Sequence, residues 1–334
     1  MTFVSVTFVS VPVVAATAAG VAPVAAASGA GPLDTARRAT EQVSFEGSVE
    51  VQWRDGDATR QEQLAIEDTS GSLFVRGGTS VLAIPGQERL IRHGAEWDLL
   101  WPAGLESHPR PDSDAKYTTT PAGQSTVAGR LTDVVEVRQD TEVRERVYLD
   151  AENGVLLRRD QFDAAGNTER KVEFKTLTLG APAQPAERPA DTVDQSPRPV
   201  STGAQPTNAS APSELPEGYE RLGVYRQTGV LHLLYSDGLY DLSLFEQPGR
   251  LARSDLPAGG SAVTVKDAAA RVYAWAGGHV VIWQAGGNVL TMVSDAPVDQ
   301  LLLAADSVKG RSPSPSVVSR LRQAARALVA PFSD

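Results

Sequence analysis

The sequence predicts a mainly β protein with some α (α+β), built as two antiparallel sheet units in series. Three observations predict it. Apolar residues recur with a period of two through most of the chain between residues 45 and 293. A Pro-rich stretch, Gly180–Glu214, divides the periodic segments. A well-formed helical period closes the second set, in "DAPVDQLLLAADSV". With 334 residues, 41% hydrophobic and 22% charged, the chain has the composition of a globular protein with a sizeable core.

The first 30 residues are apolar or small, and the first basic residue is Arg37. Ala25-Ala26-Ala27 offers an A-x-A cleavage site, so residues 1–30 read as an export signal peptide, or alternatively as a membrane anchor. The absence of Cys fits an exported protein that does not depend on disulfides and excludes thiol chemistry.

The first unit spans residues 33–179. A short helix is expected near Leu33–Thr40. In "FEGSVEVQW" Phe45, Gly47, Val49, Val51 and Trp53 share one face, and "EQLAIE" follows an Asp55-Gly56 turn with Leu64 and Ile66 on one side. Further strands are expected at Leu73–Val75, which holds Phe74, and at Val81–Ile84, Arg89–Arg92 and Glu96–Trp101. From Gly129 onward "RLTDVVEVRQ", "VRERVYLD", "VLLRRDQFD" and "TERKVEFKTLTL" form a meander, with Asn153-Gly154 as a tight turn between the second and third. One face carries Val155, Leu157, Phe162 and Phe174. The other is rich in Arg and Glu.

Gly180–Glu214 holds seven Pro and almost no large apolar residue, and so reads as a semi-extended linker. The second unit spans residues 215–308. Its strands are expected at Gly218–Tyr225, Val230–Tyr235, Leu239–Phe245, Arg271–Ala276, His279–Gln284 and Val289–Val293, with glycines at the turns. In the closing helix Asp295 is placed to cap, and Val298, Leu301, Leu302, Ala305 and Val308 share the face that packs on the sheet. Residues 309–334 form a basic tail. Lys309, Arg311, Arg320, Arg322 and Arg326 stand against Asp334, which gives the tail +4 and leaves −14 on the rest of a chain whose net charge is −10.

Chemistry is scarce. No nucleophile elbow, zinc-protease, phosphate-loop or dinucleotide motif occurs. His93 and His108 read as exposed polar residues, and His232 and His279 as satisfied residues on sheet faces. The pairs Asp112/Asp114 and Glu67/Asp68 read as solvated loop carboxylates. Ser236-Asp237-Gly238 reads as a turn between two apolar strands. A net charge of −10 argues against nucleic acid as partner. No catalytic residue, metal ligand or cofactor is assigned, which leaves binding as the expected activity.

The segments "LPEGYERLG" and "GVLHLLYSDGLYDLSLFEQ", followed by "VYAWAGGHVVIWQAGGN" and "APVDQLLLAADSV", resemble the C-terminal domain of the RseB/MucB family of sigma-factor regulatory proteins. "STVAGRLTDVVEVR", "RVYLDAENGVLLRRDQFDAAGNTERKVEFKTLTLG" and "FEGSVEVQW" are similar to that family's N-terminal domain, whose Y-L-D-A-E-N-G-V-L-L motif is shared with LolA-like and LppX/LprG-like lipoprotein carriers. The resemblance implies an N-terminal incomplete antiparallel β-barrel with plugging helices, able to hold acyl chains, and a smaller C-terminal antiparallel sheet with a packed helix. It implies a periplasmic or cell-envelope protein, not an enzyme, that binds the extracytoplasmic part of a transmembrane anti-sigma factor, shields it from proteolysis and is released by lipid-like signals. The alternative is a carrier of lipid or lipoprotein that uses the N-terminal cavity. The candidate lipid-cavity residues are Val49, Val51, Trp53, Leu64, Ile66, Phe74 and Leu157. The candidate partner surface is the hairpin with Tyr235, Asp237, Tyr240 and Phe245. In the tail Arg320, Leu321, Arg322 and Leu328 are candidates for peripheral membrane contact, as part of a short basic amphipathic helix.

Overall fold

The computed structural model describes residues 31–68, 73–77, 116–180, 198–199, 212–227, 230–252 and 256–309. Residues 1–30, read above as an export signal or anchor, the strands expected between Val81 and Trp101, His93, His108, Asp112, Asp114 and the tail residues Arg320, Leu321, Arg322 and Leu328 lie outside them. So does the side chain of Phe74, whose backbone belongs to a strand.

Helix α1 (Pro32–Gln42) opens the described chain, with Pro32 in its first turn. Strands β1 (Phe45–Asp55) and β2 (Ala58–Asp68) form a hairpin around Gly56-Asp57, and β3 (Leu73–Gly77) adds to it. After residue 116 come β4 (Thr118–Val127), β5 (Arg130–Gln139), β6 (Glu142–Asp150), β7 (Leu156–Phe162) and β8 (Thr168–Leu179). The sheet order is β3-β2-β1-β8-β7-β6-β5-β4, antiparallel throughout. Among the described residues its ends, β3 and β4, are not joined, so it is an open eight-stranded sheet and not a closed barrel.

Three local expectations change. The β6–β7 connection is not a two-residue turn at Asn153-Gly154. It is a five-residue loop held by side chains: Asp150 Oδ1 accepts from the Glu152 and Asn153 amides, and Asn153 Oδ1 from the Val155 amide. Glu67 and Asp68 end β2 rather than sitting in a loop, and Glu67 is buried. Strand β4 was not expected. Its sequence TTTPAGQSTV is exposed almost throughout, so it has no alternating pattern, and Pro121 is tolerated because β4 lies at the end of the sheet.

The second sheet holds β9 (Arg198–Pro199), β10 (Glu214–Leu215), β11 (Tyr219–Gln227), β12 (Val230–Ser236), β13 (Asp241–Pro248), β14 (Ser261–Val265), β15 (Ala268–Trp275), β16 (Gly278–Ala285) and β17 (Asn288–Ser294). The order is β10-β11-β12-β13-β17-β16-β15-β14, with β9, from within the Pro-rich stretch, pairing on β11. Helix α2 (Val298–Ser307) buries Gln300, Leu301, Ala304 and Ala305, while Leu303 is exposed. Asp295 does not cap it, because its carboxylate is engaged elsewhere.

The two sheets share one core. A single apolar cluster unites Leu33 and Ala36 of α1, Tyr117, and Val135, Val137, Val147, Leu149 and Leu156 of the first sheet with Leu233, Tyr235, Tyr240, Leu242, Leu244 and Leu301 of the second unit. A second cluster gathers Ala39 and Val43 with Val49, Val51, Trp53, Leu64, Ile66, Leu157, Val172 and Phe174. A third, with Val230, Phe245, Tyr273, Trp275 and Ile282, lines the other face of the second sheet. The meander of the first sheet is therefore buried on both sides over β6 and β7, the face rich in Arg and Glu included.

Candidate functional site

Val49, Val51, Trp53, Leu64, Ile66 and Leu157 lie together, all buried in one cluster. Their convergence follows from register: Val49 pairs with Leu64 and with Phe174, and Val51 with Val172, so the apolar residues of β1, β2 and β8 meet on one face. Phe45 and Phe174 stack edge to face at 5.7 Å. The Trp53 indole Nε1–H is buried there without a hydrogen-bond partner among the described residues.

The hairpin with Tyr235, Asp237, Tyr240 and Phe245 is different from the expectation. All four residues are at most 2% exposed, so none of these side chains faces solvent. Phe245 packs in the third cluster, stacked on His232 at 4.5 Å. Tyr235 donates its hydroxyl to Pro212 O at 2.9 Å. Asp237 shapes the turn: its Oδ1 accepts from the amides of Leu239 (3.0 Å) and Tyr240 (2.8 Å). Its Oδ2 faces the first sheet, where it accepts from Lys116 Nζ and Tyr117 Oη, both at 2.6 Å. Lys116 Nζ also donates to Glu217 O at 2.7 Å, Arg37 of α1 donates to Gly238 O, and the Tyr117 and Tyr240 rings meet edge to face at 6.2 Å. Burial, then the neighbouring Asp237 carboxylate, hold the Tyr117 phenol well above its ordinary pKa, so it remains a donor.

Deeper in the same seam lies an ionic cluster that joins the Arg- and Glu-rich strand face to Asp295, which the sequence suggested only as a helix cap. Arg159 Nε donates to both carboxylate oxygens of Glu145 at 2.9 Å, and its Nη1 donates to Asp295 Oδ2 across the seam at 2.8 Å. Gln161 Nε2 donates to Glu145 Oε1 (3.1 Å) and to Asp295 O (2.8 Å). Arg170 donates to Ala276 O at 2.8 Å and to Gln161 Oε1 at 2.9 Å. Asp295 Oδ1 accepts from the Asp241 amide at 3.1 Å. Arg159, Glu145 and Asp295 have side chains at most 1% exposed. His279 sits at the rim between Ala296 O (3.2 Å) and Glu169 Oε1 (3.2 Å).

Comparison with known proteins follows this architecture. In the solved structure of the Pseudomonas aeruginosa MucA/MucB complex, the matching chain is 19% identical, covers 84% of this chain and 98% of its own length, and superposes with a TM-score of 0.48. A crystal structure of MucB is 18% identical over 84% of this chain and 97% of its own, with a TM-score of 0.49. No curated protein sequence matches. The model of the MucB/RseB N-terminal domain matches residues 36–222, from α1 through the start of β11, which is more than half of the chain. The chain belongs to the MucB/RseB family.

Proposed function

We propose that this chain is an extracytoplasmic regulator that binds the outer portion of a transmembrane anti-sigma factor and controls its proteolysis. The family match over residues 36–222 carries this reading. The apolar face of β1, β2 and β8 is the proposed seat of a lipid-like ligand, because it gathers six of the candidate cavity residues and one unpartnered indole N–H, a donor suited to an ester or headgroup oxygen. The basic tail is proposed to touch the anionic membrane surface beside which such a partner is anchored.

The test is to purify the full chain from its own host in mild detergent and identify what co-purifies by mass spectrometry. Recovery of an anti-sigma factor is expected, together with protection of its outer region from proteolysis in a reconstituted mixture. Recovery of lipid alone, with no protection, would replace this reading by that of a lipid or lipoprotein carrier.

A further inference from the structure

We propose that the second sheet carries a cation socket for a basic segment of a partner polypeptide, which Lys116 of the first unit fills in cis. The socket consists of the Asp237 carboxylate, the Glu217 carbonyl and the Tyr219 ring. Lys116 Nζ lies 2.6 Å from Asp237 Oδ2, 2.7 Å from Glu217 O and 5.5 Å from the Tyr219 centroid. A carboxylate, a carbonyl and an aromatic face around one point form the chemistry that recognises an ammonium or guanidinium group.

The socket is built independently of its occupant. Asp237 is fixed by two backbone amides of its own turn and by the Tyr117 hydroxyl, so it stays oriented when Lys116 leaves. Glu217 is held left-handed at φ 64, a conformation non-glycine residues seldom keep, and its carbonyl is aimed at the ammonium. Lys116, in contrast, makes both of its hydrogen bonds among the described residues to the second unit and none to its own, and its side chain is 16% exposed. Arg37 occupies the adjoining Gly238 carbonyl in the same way. The Lys116 and Arg37 side chains keep 16% and 15% exposure, so both can swing out to solvent while Tyr117, the shared apolar core and the Arg159 cluster stay in place. A partner segment with two basic residues could therefore exchange with them in place.

This inference rests on the reading of the chain as a partner-binding protein, and its test uses peptides alone, so that the two fail separately. The probe is a fluorescein-labelled Ala-Lys-Tyr-Arg-Ala-Ala amide, with Glu replacing Lys and Arg in the control peptide. Lys116→Ala and Lys116→Gln should each bind the basic peptide at least about ten-fold more tightly than the unmodified chain, the equivalent of one displaced ionic hydrogen bond, and bind the acidic peptide no better. Adding Asp237→Asn to either should remove the gain. Should the Ala variant unfold, the Gln variant, which keeps the stem volume, gives the same readout, and the basic peptide should raise its melting temperature. Equal binding by both variants and the unmodified chain, or a gain that survives Asp237→Asn, overturns the socket.

Discussion

Arg159 is held by two carboxylates that come from different sheets, and all three side chains are excluded from water. Burying charges is costly, and the cost is recovered here only because each group is multiply hydrogen-bonded. Arg159→Met should therefore leave Glu145 and Asp295 facing each other uncompensated and reduce unfolding free energy by about 3–5 kcal/mol. The triple change Glu145→Gln, Arg159→Met, Asp295→Asn should recover most of that loss, since the carboxamide introduced at position 295 keeps an acceptor for the Asp241 amide. Urea denaturation measures both, and a loss below about 1 kcal/mol in the single variant would mean that the cluster is solvated. His232 provides the pH dependence. Burial lowers its pKa from about 6.5 to about 3, as the ring stacks on Phe245 and its Nε2 meets Ser243 Oγ at 3.0 Å. A depressed folded-state pKa means that its contribution is complete above pH 6.5 and is lost as the pH falls toward 3. His232 is half-buried as a residue, and the loss by pH 5 should be about 1–2 kcal/mol. His232→Gln should remove that part of the pH dependence between about pH 7 and 5, and an unchanged slope would exclude His232 as its source.

At the scale of elements, strands with one buried face were legible in the sequence because their alternation is strict. Phe45, Val49, Val51 and Trp53 are all buried. Strands without such a face were not: β4 is exposed on both sides, and β14 has a single buried residue, Val265. Gly47 could be read only as part of an alternating run, yet its role is steric. A Cβ there would lie 2.1 Å from Thr176 O, beside the bulge at Ser48/Val49 where Ser48 N meets Thr176 Oγ1 at 3.0 Å. The obstacle is backbone and cannot rotate away. Gly47→Ala should therefore push β1 from β8 and cost about 1–3 kcal/mol, the range of overpacked cores. Hydrogen exchange should localise the damage to β1 and β8. Normal protection in both strands would show that the bulge is not as close as described.

For the whole molecule, the sequence suggested two bodies on a tether, and the Pro-rich stretch still separates the two sheets along the chain. Its residues could not reveal that the sheets share a core, because the groups that satisfy Arg159, Gln161 and Arg170 include Asp295 and Ala276, which lie 136, 134 and 106 positions away from them. An Arg- and Glu-rich strand face looks solvated until its partners are known. The consequence is cooperative unfolding. Val137, Val147 and Leu149 are buried in the same cluster as Leu233, Leu242 and Leu244, so either sheet alone would expose an apolar and charged face at once. The intact chain should unfold in one calorimetric transition, with calorimetric and van't Hoff enthalpies equal. Tryptophan reports on each sheet separately, since Trp53 lies in β1, while Trp275 and Trp283 lie in β15 and β16. A chain retaining only Trp53 and one retaining only Trp283 should show coincident denaturation midpoints. A separation of the two midpoints larger than the shift caused by the substitutions themselves would mean that the sheets fold independently and that the seam, ionic cluster included, contributes little to holding them together.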